Sequence, residues 1–320
     1  MIKKFHPELF QGNKKKHRYF EGWYFKHVSA DKDNVYAFIP GISLSEDSHA
    51  FIQVMDGISG RSQYLRYPLS SFYADTKPFK LQVGDSEFSL DGASINIHDE
   101  KIDAHGRIEY QHMMRLPRTI FRPGIMGPYT FVPFMECKHG VVSVNHQLSG
   151  SISIDGKKID FSSGKGYIEK DWGTSFPETW IWLQSNHFAE TDASFMLSIA
   201  KIPWLGRFFM GFLGFFHLNA QTHLLATYNG SSVRKLKQLG PGEFTVLIES
   251  PSGTLEVQGA QLIQSDLKAP VSGNMNRLIK ESSDAAMTLK FTGSSGDELF
   301  SGRGERAGLE IIDTIFDYFK

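Results

Sequence analysis

Between residues 19 and 112 the chain reverses too often for anything but sheet. Short runs rich in Val, Ile, Phe and Tyr are closed by Gly-, Asp- or Asn-containing turns about every eight to twelve residues, and no long segment carries the 3.6-residue apolar period of an amphipathic helix. Strands are expected at 19–28 and 35–39 around an Asp31–Asn34 turn, at 49–55 and 62–67 around Gly57 and Gly60, at 80–83 and 87–90 around Gly84, and at 93–98 and 107–112. This is the rhythm of an antiparallel sandwich or barrel.

Residues 115–135 interrupt it with Pro117, Pro123, Gly124, Gly127, Pro128 and Pro133, an apolar connection long enough to be a lid or bridge. Strands resume at 141–146, and 149–154 with 158–161 flank Asp155-Gly156, a strong hairpin signal. Further strands fall at 193–199, 222–228, 244–248, 254–257 and 286–291, and the tail 309–319 reads as a short helix or last strand. The apolar run 202–218 is broken by Arg207 and three glycines and is short for a membrane span. It is expected as buried strands around a glycine-containing bend, with an apolar pocket rim or a membrane-touching flap as the alternatives. A faint echo links Trp23-Tyr-Phe through Pro40 with Trp180-Ile-Trp through Pro203, and suggests two related β domains.

Phenylalanine occurs 26 times, which favours sheet and suits apolar cavity walls. A net charge of −1 argues against nucleic acid as a partner, and the basic run 14–18 reads as a solvated face, with anionic lipid or nucleic acid as alternatives. Cys137 is the sole cysteine and the opening residues lack the apolar core of a signal peptide, so a cytoplasmic location is expected, with peripheral membrane contact through 202–218.

Chemistry concentrates in 164–186, which holds three of the five tryptophans. On a strand, Tyr167, Glu169 and Asp171 share one face and Ile168 and Lys170 the other. Carboxylates two positions apart lie about 7 Å from each other. Packed under aromatics, one of them is held as a neutral acid; facing water or a cation, both are ordinary charges. Trp180 and Trp182 share a face with Gln184 and Asn186, either as aromatic planes that stabilise a cation or as core tryptophans. The twelve histidines lack zinc-like spacing, no glycine-rich phosphate loop precedes a helix and no nucleophile-elbow pentad occurs. No metal is expected.

Phe20-Glu-Gly-Trp-Tyr-Phe-Lys26, followed far downstream by Tyr167-Ile-Glu-Lys-Asp-Trp-Gly-Thr-Ser-Phe-Pro177 and Trp180-Ile-Trp-Leu-Gln-Ser-Asn186, resembles the tocopherol cyclase family. The plant members carry Asn and Gly where this chain has Asp171 and Thr174. The resemblance implies an all-β fold of two tandem lipocalin-like antiparallel barrel or sandwich domains, here divided as 1–165 and 166–320, with a ligand cavity between or within them. It also implies closure or hydration of a prenylated quinol or other isoprenoid-like molecule without a cofactor. Within that expectation Glu169 or Asp171 is the acid, and Glu21 an alternative acid or base. Trp23, Trp172, Trp180 and Trp182 are cavity walls, and Tyr24, Gln184 and Asn186 orient the quinol oxygen. The rival expectations are a non-catalytic carrier of lipids or isoprenoids and, further off, a carbohydrate-active protein using the same acid pair.

Overall fold

A computed structural model describes residues 2–190 and 192–319. Most of its strands fall where alternation and turn residues predict them. The first twelve are β1 (Tyr19–Val28), β2 (Val35–Leu44), β3 (His49–Asp56), β4 (Ser62–Tyr67), β5 (Phe72–Thr76) and β6 (Phe79–Val83). They continue with β7 (Ser86–Ser89), β8 (Gly92–Asp99), β9 (Ile102–Met114), β10 (Cys137–Ile154), β11 (Lys157–Asp160) and β12 (Lys165–Gly173). All join one sheet in the order β4-β3-β2-β1-β12-β10-β9-β8-β7-β6-β5, with β11 paired to β10.

The second sheet takes β13 (Trp180–Ser185), β14 (Ser194–Trp204), β15 (Arg207–Leu218), β16 (Gln221–Ala226) and β17 (Ser232–Gly240). Its remaining members are β18 (Glu243–Ser250), β19 (Gly253–Ala260), β20 (Ser265–Val271), β21 (Asn274–Gly293) and β22 (Glu298–Ile311). They run in the order β16-β15-β14-β13-β22-β21-β19-β18-β17, with β20 on β21. The protein is thus all-β, built on two large antiparallel sheets. The apolar run 202–218 is the β14–β15 hairpin, and the tail is both things expected of it, strand to Ile311 and then a 3-10 helix over Asp313–Phe319.

The chain divides into two compact units. One comprises residues 1–176 with 266–278, the other 177–265 with 279–320. The expected boundary at 165/166 therefore moves, because β12 pairs along its length with β1 and β10 of the first unit. No contiguous division anticipates that the β20–β21 turn also belongs there. Ser272 and Gly273 take φ values of 50° and 85°, the left-handed pair of a tight hairpin turn. Within the first unit the Ser43 hydroxyl donates to Gly273 O at 2.6 Å and Gly273 N–H donates to Thr174 O at 2.6 Å. A Cβ on Gly273 would lie 2.5 Å from Tyr19 N, so only glycine fits.

Each unit has its own apolar core. In the first, Trp23, Phe25, Phe38, Phe88, Phe161 and Ile168 pack together, joined by Leu9 from the N-terminal segment. In the second, Ile181, Leu183, Phe195, Phe216, Phe244 and Phe291 do the same.

Candidate active site

Adjacent β1 and β12 set the stage. Their register pairs Trp23 with Lys170, Tyr24 with Glu169 and Lys26 with Tyr167, so strand alternation sorts the sequence-predicted residues onto two faces. Trp23, Phe25 and Ile168 turn into the core with Glu21, Lys170 and Trp172. Tyr24, Tyr167, Glu169 and Asp171 occupy the opposite face.

On the core face the Lys170 ammonium is fully buried. It pairs with Glu21, donates to Pro7 O at 2.8 Å and Leu9 O at 2.7 Å, and lies 4.4 Å from the centre of Trp23 and 4.9 Å from that of Trp172. Glu21 is equally buried. Its two oxygens accept from Gln11 N–H at 2.8 and 3.1 Å and one also accepts from the Tyr19 hydroxyl. Burial lowers the Lys170 pKa and the Glu21 carboxylate opposes that drop. Trp23 and Trp172, expected as cavity walls, thus turn their faces to the chain's own lysine. Glu21, expected as an alternative acid or base, is its counter-ion on the face away from Glu169 and Asp171.

The opposite face holds the acid pair. β10 lies beside β12 with His139 opposite Asp171 and Val141 opposite Glu169, which brings an imidazole between the two carboxylates. His139 Nδ1 is 3.0 Å from Asp171 Oδ1, and Nε2 is 3.5 Å from Glu169 Oε2. The Tyr167 hydroxyl donates to Glu169 Oε2 at 2.6 Å. Burial by itself would lower the His139 pKa, but Asp171 and Glu169 outweigh it and raise it to about 9. Burial, reinforced by Glu169, holds the Tyr167 phenol well above its ordinary range. Burial and the Asp171 charge do the same to the Cys137 thiol, whose Sγ lies 3.8 Å from Asp171 Oδ1. His139 is therefore an imidazolium at neutral pH, and Asp171, with a side chain 24% exposed, is the member of the cluster open to an approaching molecule.

The strand signal in the sequence begins at Val141 and nothing local marks Cys137-Lys-His139 as its extension, so His139 carries no sequence signal of its own. Its partners lie 30 and 32 positions away and meet it only through the β10–β12 register.

The same three side chains are the ones among the described residues that could gather a cation, with one ligand atom from each lying within 4.8 Å of the others. One imidazole and two carboxylates suit a divalent metal. Here, however, both ring nitrogens face carboxylates, the arrangement of an imidazolium between two counter-ions. A metal would need one nitrogen released.

In the second unit Trp180, Trp182 and Gln184 share one face of β13, as alternation predicts, and Ile181 and Leu183 take the core face. All three are buried, and the Trp180 indole N–H donates to Glu310 on β22. Asn186 follows the end of the strand and is also buried.

The profile of the tocopherol cyclase-like family matches residues 120–312, more than half of the chain. A probable chloroplastic tocopherol cyclase of Oryza sativa subsp. japonica and the chloroplastic tocopherol cyclase of Zea mays are each 32% identical over 68 residues, which cover 21% of this chain and 14% of theirs. The match thus spans about a seventh of those relatives. Solved structures share the fold at low identity. A putative AttH from Nitrosomonas europaea superposes with a TM-score of 0.53 at 15% identity, covering 91% of this chain and 92% of that one. Kievitone hydratase from Nectria haematococca gives 0.50 at 11% identity, with 96% and 94% covered. CghA with Sch210972 gives 0.59 at 9% identity, with 92% and 88% covered.

Proposed function

The chain belongs to the tocopherol cyclase-like family, and from that premise we propose that it catalyses proton-initiated ring closure or hydration of a prenylated quinol or related isoprenoid. A proton added to one alkene carbon leaves a tertiary cation on the other. A phenolic oxygen of the same molecule, or a water, bonds to that cation and loses its proton. Ring closure is then an isomerisation and hydration consumes one water, with no change of oxidation state.

The observation that carries this reading is the imidazolium of His139 held between Asp171 and Glu169. The proton is the one His139 holds; it passes through Asp171, bonded to the ring at 3.0 Å and the exposed member of the cluster, to the alkene. With that proton gone, two carboxylates flanking a neutral imidazole leave a net negative charge beside the developing cation, which stabilises it in a partly buried site. Glu169, which accepts from the Tyr167 hydroxyl, takes the departing proton. Glu21 has no part in the chemistry. Kievitone hydratase, a protein of the same fold, is by its name a hydratase.

Incubation of the pure protein with a prenylated hydroquinone is expected to yield a chromanol or hydrated product, and His139→Gln to lower the rate about 10²-fold or more. Native mass spectrometry that finds an isoprenoid bound and released unchanged, with no product formed, would establish a carrier instead.

A further inference from the structure

The long connection between β9 and β10 presents apolar side chains to water where turn chemistry would place polar ones. Thr119 and Arg122 exchange backbone hydrogen bonds at 2.9 and 3.0 Å, which makes Ile120 and Phe121 the two central residues of a tight turn. Such positions favour Gly, Asn or Asp, yet these side chains are 77% and 82% exposed. Further along, Phe134 is 98% exposed and its backbone sits at φ 63°, a left-handed conformation unfavourable for a bulky residue. Neither its burial nor its backbone geometry rewards a phenylalanine there.

The surroundings are basic. Residues 1–18 and 115–138 together hold ten Lys and Arg against two Glu, a net of +8, so the rest of a chain of net −1 carries −9. The two segments are in contact. Arg118 donates to Phe5 O, and the Lys4 ammonium lies 4.9 Å from the centre of the exposed Phe131 ring. Lys138 donates to Thr130 O at 3.3 Å, and its pKa is lowered by burial and by the like charges of Lys4 and Lys15. Crowded cations beside protruding aromatic and aliphatic tips match a surface that offers anionic groups above hydrocarbon.

We infer that the 115–138 connection and the N-terminal segment form a docking face for an anionic lipid bilayer, with Ile120, Phe121 and Phe134 entering the headgroup–acyl boundary while Lys4, Lys15 and Arg122 stand over the headgroups. A bilayer accounts for both halves of the patch; a nucleic acid would account for the charge but leave the aliphatic Ile120 at the turn tip without a role. This face is distinct from the 202–218 segment expected from sequence, whose hairpin tip at Trp204 to Phe208 is exposed but carries Arg207 as its lone cation.

The test is sedimentation of the full chain with phosphatidylcholine vesicles, with and without about 30% phosphatidylserine. Binding to the serine-containing vesicles alone is expected, falling about tenfold or more in high salt, since exposed charge pairing is screened. The Ile120→Ser/Phe121→Ser variant is expected to lose about tenfold in partitioning. Phe134→Asn is a control against misfolding, because asparagine tolerates the left-handed backbone; it is expected to keep or raise the melting temperature while weakening vesicle binding. Absence of binding to the anionic vesicles, unchanged partitioning of both variants, or tighter binding to a single-stranded RNA than to vesicles would overturn the inference.

Discussion

Lys170 is fully buried, so its ammonium must find partners within the protein. Glu21, two backbone carbonyls and two indole faces supply them. Removing one member of such a pair leaves a buried charge uncompensated, so Lys170→Met or Glu21→Gln is expected to cost about 3–5 kcal/mol in denaturant unfolding. The double replacement by apolar residues should cost less than the sum of the two, because no lone charge remains.

His139 has a folded pKa of about 9, above its unfolded value. Its contribution to stability is therefore complete below about pH 6.5 and lost as pH rises through 9. The gap in stability between the native protein and His139→Gln should close over that window, and turnover should fall with it as the proton store empties. His27 and His146 behave oppositely. Burial lowers both to about 3, so the unfolded chain takes protons that the fold refuses and stability falls as pH drops from 6.5 toward 3. Imidazole nitrogen NMR shifts should show His139 protonated at pH 7.5 and these two neutral at pH 5. At this scale the sequence was legible where strand period decides. It separated Tyr167, Glu169 and Asp171 from Ile168 and Lys170, and Trp23 from Tyr24. It could not reveal that Trp23 and Trp172 would spend their faces on Lys170, because that depends on residues 7–11 folding back over the strand.

Among the elements, hairpins closed by short turns were readable because the turn residues are chemically marked. Asp155 and Gly156 take φ 49° and 81°, as an Asp-Gly hairpin demands. β10 was not read whole. It runs unbroken from Cys137 to Ile154, with register shifts near Ser143, where sequence suggests two shorter strands starting at Val141. That missed extension is what carries His139. β5 is not marked in the sequence, and the general strand character of 222–301 does not single out β20 or β17, where four Lys, Arg or Gln among nine residues hide the alternation. The β20–β21 turn owes its place to a glycine at φ 85° with backbone atoms 2.5–2.8 Å from where a Cβ would stand. Gly273→Ala should destabilise by more than about 1 kcal/mol, because the new methyl is both strained and blocked. A melting temperature indistinguishable from that of the native chain would show that this close approach does not hold the turn.

For the whole molecule, the resemblance carried by the two motifs anticipated the class of fold, two large antiparallel sheets. The unit boundary was less legible. Residues 166–176 complete the first sheet and its turn, and 266–278 return to it from far along the chain through contacts such as Gln53 with Lys268. Pairing across more than 200 positions leaves no local mark. A chain ending at Phe176 is accordingly expected to lose protection from hydrogen exchange in β2 and β3 relative to the full protein, since Ser43 and Gln53 lose their partners.

The central claim is that a proton leaves the Asp171–His139–Glu169 cluster for an alkene carbon. Turnover of a prenylated hydroquinone in D₂O measures this directly. The account predicts one deuterium on the carbon next to the new C–O bond, and loss of that product by about 10²-fold or more in Asp171→Asn and in His139→Gln. Product without carbon-bound deuterium, or formed equally fast by both variants, would contradict it.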